Sequence, residues 1–465
     1  MTRTSRRRIL TLSGALLAGS LAGCMNGDGG GRNGNNTTTT NDTNGDNGST
    51  TPPPTTTDDV PSPELDLVTN PDVDLETLKG VIMGNTGFAF NIYGSLSGDS
   101  NLVLSPYSIS VALAMTWAGA RGETRQQMSE TMRYTVGEDL HAGFKALSDE
   151  LEQRDMEKGT ESEDEKTKKF ELSIANSVWG LAEYPYRDEY LSLVEQNYGS
   201  KLREVNFRTN PEGSREEINS WVGDETNGKI KDLLPPNSIS RLTRLVLTNA
   251  IYLNANWAKP FPEESTAESE FTALDGSTTQ VQMMRHETNF PYAEVDNHQV
   301  IELPYVGGDV GMVVVLPEEG SFEEFEKNFD ARQLYEMTDA LEQREGTIKL
   351  PKFRYESSFS LKNALSELGM PIAFDRKSAN FGGMANLERT EGNLYISDVY
   401  HKTYIDVDEV GTEAAGATGV VINVESVPMN PFEMVVDRPF VFGIRDRRTQ
   451  SVLFMGRVVD GEAMK

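Results

Sequence analysis

The side chains able to do chemistry in this chain are few and poorly arranged for catalysis. Its four histidines, His141, His286, His298 and His401, show no metal-ligand spacing, and the single cysteine, Cys24, offers no partner thiolate for a zinc site. There is no G-x-S-x-G elbow, no HExxH, no P-loop and no GxGxxG after a strand. A scattered Ser/His/Asp triad is defined by geometry rather than spacing, so the sequence alone leaves that arrangement open. The Asp/Gly/Asn-rich stretch near the N-terminus lacks the ordered loop that an EF-hand needs. The expectation is a protein that is not an enzyme, with no catalytic residue, no metal site and no cofactor.

One segment has a pattern that calls for an explanation: His401 to Phe440. It begins as a strand, with Tyr404, Asp406 and Asp408 alternating with Ile405, Val407 and Glu409. Gly411 to Gly419 is then nearly all Gly, Ala and Thr, too small and flexible to hold a core. Counted by twos, Thr412, Ala414, Gly416, Thr418, Val420, Ile422 and Val424 share one strand face, uncharged throughout, small at one end and apolar at the other. Glu413, Asn423 and Glu425 fall on the other face. The segment is written both as a mobile loop and as a half-buried strand; an ordinary Gly/Ala-rich loop fits the composition as well.

The elements that would hold this segment run through the rest of the chain. Leu78–Leu96 reads as a helix, and Leu102-Val103-Leu104 as a short strand leading to Ser105-Pro106, with proline at the first position of a buried helix ending near Trp117. Glu123–Met132 is a further helix, 149–169 a charged connection, Phe170–Trp179 a strand, and Ser214–Asn227 a helix closed by Asn227-Gly228. Leu245–Leu253 is a continuous apolar run, the mark of a strand covered on both faces, with Asn249 inside it requiring partners. Gly311–Leu316 and Thr347–Phe353 read as strands and Leu361–Leu368 as a short helix. With no repeat and no second linker, 65–465 is read as one domain.

Charge and termini bound the setting. The net charge of −29 leaves no clustered Lys/Arg surface for nucleic acid, and suits a surface kept solvated in concentrated salt, as in halophilic proteins. Ser5-Arg6-Arg7-Arg8-Ile9-Leu10 and the short apolar run to Ala22 resemble a twin-arginine export signal over 1–23. Leu21-Ala22-Gly23-Cys24 resembles a lipobox, in which Cys24 carries the lipid. Residues 24–64, rich in Gly, Asn, Thr and Pro, read as a disordered tether, with sequons at Asn35, Asn36, Asn41 and Asn47. The expected location is the extracellular face of the cell membrane, with a lipid anchor at Cys24.

From about 80 to 459 the chain resembles the serpins, inhibitors of serine proteases. The resemblance rests on Asn101 to Ser110, on Ile218-Asn219-Ser220-Trp221-Val222 with Thr226-Asn227-Gly228-Lys229-Ile230, and on Leu247-Thr248-Asn249-Ala250-Ile251-Tyr252 through Trp257. Leu303-Pro304-Tyr305, Ile396 to Lys402, Arg438-Pro439-Phe440 and Phe454-Met455-Gly456-Arg457-Val458 continue it in order. It implies an α+β fold of three β-sheets with surrounding helices and an exposed reactive loop. Such a loop is cleaved by a protease and inserts into the main sheet, trapping the acyl-enzyme; serpin loop insertion is itself a standard example of strand addition.

The resemblance also assigns residues. Glu409, Val410, Gly411, Thr412, Glu413, Ala414, Ala415, Gly416 and Ala417 match the hinge of inhibitory members. Ser105, Ser108, Asn249 and His401 match a polar cluster, the shutter, beneath the opening sheet. Lys352 and Glu409 match a salt bridge at the top of the sheet, the breach, with Trp257 nearby. Counting from Glu409 gives a reactive bond at Glu425-Ser426, while counting back from Pro439 gives Met429-Asn430 as the alternative. The implied partner is a serine or cysteine protease, acid-preferring if Glu425 is read, and chymotrypsin-, elastase- or subtilisin-like if Met429 is. A monomer without a heparin-like activator is expected, and a non-inhibitory surface binding protein of the same fold is the alternative.

Overall fold

A computed structural model describes residues 60–154, 170–389, 393–412 and 431–464. The helices are α1 (Leu75–Leu96), α2 (Pro106–Trp117), α3 (Gly122–Met132), α4 (Leu140–Glu152), α5 (Asp188–Tyr198), α6 (Pro211–Glu225), α7 (Phe322–Asn328), α8 (Ala331–Asp339) and α9 (Lys362–Glu367). The strands are β1 (Leu102–Leu104), β2 (Phe170–Leu181), β3 (Arg203–Val205), β4 (Leu245–Asn256), β5 (Ala267–Thr272), β6 (Thr278–Val295), β7 (His298–Pro304) and β8 (Val310–Leu316). They continue with β9 (Glu342–Pro351), β10 (Phe353–Ser360), β11 (Ile396–Val407), β12 (Gly411–Thr412), β13 (Phe432–Val435), β14 (Phe440–Asp446) and β15 (Val452–Val458). No helix among the described residues is long and apolar enough to cross a membrane.

The described strands form two hydrogen-bonded sheets. The six-stranded sheet has the order β10-β11-β12-β4-β2-β3, with β11 also paired directly to β4. The nine-stranded one has the order β1-β15-β14-β8-β7-β6-β9-β13, with β5 on β6. The count of two differs from the expected three for a definite reason. β6 is 18 residues long and pairs with β5 over Thr278–Met283, with β9 over Met283–Tyr292 and with β7 over Tyr292–Val295. One long strand thereby joins two sheets into a single ladder.

Local chemistry fixes several boundaries. The Ser105 side chain caps α2 by accepting from the Ser108 N–H, and Pro106 occupies the first turn. α6 starts at Pro211, earlier than its apolar pattern suggests, because Asn210 caps it by accepting from the Gly213 N–H. Pro351 ends β9, and Phe353 begins β10 in the other sheet, so Thr347–Phe353 is not one strand. Proline has no N–H to continue the ladder, and Lys352 is left at the joint between the sheets. β4 is buried at every position but Asn254, as its continuous apolar run requires.

The packed body begins earlier than 65. Val60 is 2% exposed and Pro63 is buried. Further along, Glu150 of α4 accepts from the backbone N–H groups of Val68 and Thr69, both at 2.8 Å, and from the Thr69 hydroxyl at 2.6 Å. Burial raises the Glu150 carboxyl pKa, but the bonds from Thr69 and Val68, with Arg154 at 2.9 Å, outweigh it and hold it at about 2. Arg154 in turn donates to Asp446 at 2.7 Å, so the one guanidinium bridges both buried carboxylates.

Candidate functional site

The site lies along the line between β4 and β11. These strands pair in parallel from Ile396↔Leu245 to Thr403↔Ile251. Beyond Thr403 they diverge, and the short β12 sits between them. Thr412 pairs with Val407 on one side and Ala255 on the other, and Gly411 with Asn256. The first residues after the turn that follows β11 have therefore started an extra strand, antiparallel to both neighbours.

A polar cluster holds the paired half closed. His401 and Asn249 are opposite each other across the line, both wholly buried. His401 Nε2 accepts from the Ser105 N–H at 3.1 Å and from the Thr403 hydroxyl at 2.8 Å. Its Nδ1 therefore carries the proton and donates to Asn249 Oδ1. The Asn249 amide nitrogen donates to Ser108 Oγ and to Asn176 Oδ1, each at 2.6 Å, and Ser108 Oγ donates to Asn176 Oδ1 at 2.8 Å. The structure thus brings together all four residues predicted for this cluster, Ser105, Ser108, Asn249 and His401. It adds Asn176 and Thr403, which sequence reasoning missed: no motif marks Asn176 within β2, and Thr403 lies two residues past His401 on the same strand face.

The geometry also sets the titration of His401. Burial drives its pKa down to about 3, and a proton on Nε2 would face two donors. Burial likewise lowers His141 to about 4, and lowers His286 and His298. The folded protein therefore binds fewer protons than the unfolded chain between the ordinary histidine value of about 6.5 and the lowered ones. Stability is expected to be full above about pH 6.5. It should fall as the pH drops towards 4 and 3, with His401 alone contributing a slope of about 1.4 kcal/mol per unit. Urea unfolding midpoints between pH 7.5 and 4, compared with those of His401→Gln, check this; a variant with an unchanged slope would count against it.

At the diverged end a second set of contacts seats the turn. Trp257 Nε1 donates to the Asp408 carbonyl at 2.9 Å, and the Trp257 N–H to the Val410 carbonyl at 2.8 Å. Lys352 Nζ lies 2.8 Å from Glu409, and the Thr266 hydroxyl donates to the same carboxylate at 2.8 Å. Burial raises the Glu409 pKa, but Lys352 and Thr266 more than offset this and leave it lowered. Trp257 stacks on Tyr305 with ring centroids 4.6 Å apart, and the Tyr305 hydroxyl is 2.7 Å from Thr412 Oγ1. Trp257, Lys352 and Glu409 are gathered as predicted; Tyr305, Thr266 and Asp408 complete the set.

Gly411 has no room for a side chain: a Cβ there would lie 2.1 Å from the Ala255 carbonyl oxygen. Thr412 is 2% exposed and faces the core. Of the predicted hinge, Glu409, Val410, Gly411 and Thr412 are placed. Glu413, Ala414, Ala415, Gly416 and Ala417 lie outside the described residues, as do Glu425, Ser426, Met429, Asn430 and Cys24.

A mixed sheet joined along β4 and β11 by a buried polar cluster, and parted beyond Thr403 by Gly411 and Thr412, defines a class of α+β protein with a two-residue strand begun inside its main sheet. A sequence model of that class, the serpin or serine protease inhibitor family, matches residues 83–461, and the chain belongs to the serpin family. An uncharacterised serpin-like protein of Thermococcus kodakarensis is 39% identical over 387 residues, 82% of this chain and 86% of the relative. The leukocyte elastase inhibitor of Xenopus laevis is 34% identical over 382 residues, covering 80% of this chain and 97% of the relative. Among solved structures, the native state of the thermophilic serpin tengpin superposes with a TM-score of 0.72 at 29% identity, covering 86% of this chain and 97% of that one.

Proposed function

We propose that this protein inhibits serine or cysteine proteases as a suicide substrate. A protease cleaves the segment after Thr412, the segment inserts between β11 and β4, and the acyl-enzyme is trapped. The observation that carries this reading is the seating of Gly411 and Thr412 between β11 and β4, in register with both. Continued without a slip, that register sets Thr418 opposite Asn249 on one side and His401 on the other. The one hydroxyl in the inward row after Thr412 thus meets the polar pair that insertion separates. An unpaired buried donor or acceptor costs about 1–3 kcal/mol, and Thr418 Oγ can satisfy one. Ala414, Gly416, Val420 and Ile422 face the apolar remainder.

The same register ends at Ile422 opposite Leu245, the first residue of β4. Glu425 then emerges just past the sheet, a short tether for a bound protease, whereas Met429 leaves a slack one. This supports Glu425-Ser426 as the reactive bond and an acid-preferring protease as the target. The leukocyte elastase inhibitor among the relatives supports protease inhibition generally. We further propose export through the N-terminal signal, a lipid anchor at Cys24, and a halophilic setting on the outer face of the membrane.

The test is a panel of proteases, including a glutamyl endopeptidase, incubated with the full chain and run on denaturing gels. A complex that survives boiling in SDS, with its cleavage mapped after Glu425, is expected. Clean cleavage and turnover by every protease, without a complex, would instead favour a binding protein of serpin fold.

A further inference from the structure

The turn that joins β11 to β12 is tighter than its residues favour. Val407 pairs with Thr412, and the Asp408 N–H donates to the Gly411 carbonyl at 2.9 Å, so only Glu409 and Val410 lie between the two arms. Two-residue hairpin loops favour turns with a positive φ at one or both central residues, because the other forms splay the arms. Neither Glu409 nor Val410 has a positive φ, and nor does Gly411. With a β-branched valine at its centre and no Asn-Gly or Asp-Gly pair, the turn lacks the local chemistry that closes most such loops.

A side chain closes it instead. Asp408 Oδ1 accepts from the Val410 N–H at 2.9 Å and from the Gly411 N–H at 3.1 Å, in the manner of an Asx-turn. The carbonyls of the turn are taken by one neighbouring segment: that of Asp408 by Trp257 Nε1, that of Glu409 by the Phe261 N–H at 2.8 Å, and that of Val410 by the Trp257 N–H. The acids on either side have other partners, Asp406 pairing with Arg354 at 2.6 Å and Glu409 with Lys352 at 2.8 Å. Asp408 is the acid turned onto the backbone.

We propose that Asp408 is a positioning residue for strand insertion: its carboxylate locks the turn in the form that keeps Gly411 and Thr412 seated between β4 and β11. This rests on the inhibitory reading above. A strand added to a sheet must meet the entropy cost of closing its turn before later pairs reward it. In the capped turn that cost has been met before any protease arrives, so insertion after cleavage only extends a ladder already begun. Without the cap the seated fraction falls, the start of insertion slows with it, and the acyl-enzyme has longer to hydrolyse. The closure depends on an acceptor at the γ position of the side chain, which Asn shares and Glu does not.

Three variants of the full chain separate the cap from charge: D408A removes it, D408E keeps the charge but carries it one methylene too far, and D408N keeps the acceptor. Amide exchange of Val410 and Gly411 in the intact chain, without protease, should quicken at least about tenfold in D408A and D408E, and D408N should restore most of the protection. Unchanged exchange in D408A would overturn the cap. With a protease that the unaltered chain traps, the moles of chain consumed per mole of enzyme trapped should rise several-fold in D408A and D408E while the rate of loop cleavage stays the same, and D408N should bring the ratio back. A ratio unmoved in D408A despite quickened exchange would overturn the role in insertion, as would a ratio kept by D408E and lost in D408N, since charge alone would then suffice. Should D408A not fold, D408E against D408N decides by the same two measurements. An unaltered chain that traps no protease overturns the inhibitory reading and the role in insertion with it, while exchange in the intact chain still decides the cap.

Discussion

Thr412→Arg is expected to turn the protein from an inhibitor into a substrate. Thr412 is seated between Val407 and Ala255, 2% exposed, with its hydroxyl on Tyr305. An arginine there must carry its charge onto the core face beside the Trp257–Tyr305 stack, at a cost of several kcal/mol, or keep the strand's leading end out of the sheet. The peptide bond further along is untouched, so cleavage goes on while insertion stalls and the acyl-enzyme has time to hydrolyse. The fraction of cleavage events yielding an SDS-stable complex should drop at least tenfold, measured by densitometry against active-site-titrated protease. Thr412→Ser, which keeps the hydroxyl and the small volume, should inhibit nearly as the unaltered chain does. Undiminished trapping by Thr412→Arg would remove the hinge from the mechanism.

Cleavage itself should make the protein markedly more stable. Insertion moves Val420 and Ile422 from the cleaved segment into the core, each worth roughly 1.5–3 kcal/mol, brings Val424 to the rim of the sheet, and pairs new backbone with both β4 and β11. At about 1 °C of melting temperature per kcal/mol, as the entropy of a domain of about 400 residues gives, the rise should be at least about 5 °C. Scanning calorimetry before and after limited proteolysis of the loop measures it. A nicked chain that melts with the intact one would mean that the segment stays outside the sheet.

How much of this was legible in the sequence depended on the kind of signal. Ser105-Pro106 announced both the cap and the start of α2, because capping is a local bond made by residues three apart. The burial of β4 followed from its unbroken apolar run, and the need of Asn249 for partners from its place inside it. One of those partners did not follow: Asn176 reaches Asn249 through β2, and only the tertiary register brings it there, whereas Thr403 joins the cluster locally, two residues along β11 from His401. The resemblance supplied Lys352 and Glu409, yet the reason they meet lies in Pro351, which ends β9 and leaves Lys352 where the chain changes sheets. The count of sheets was out of reach for a similar reason, since nothing in the residues of β6 says that one strand serves three neighbours.

The pairing of β11 with β4 bears on how the chain must fold. Ile396–Thr403 reach back to Leu245–Ile251, closing a loop of well over a hundred residues, while Thr412 turns onto Val407 only a few positions away. The local hairpin closes faster than the distant pair, and once extended it would occupy the place that β4 takes beside β11. Growth of the chain from its N-terminus removes the contest: β4 is already formed when β11 emerges, and the residues that would displace it have yet to be made. A chain diluted from denaturant has every strand available at once. The order in which the strands become available is therefore part of what specifies this sheet.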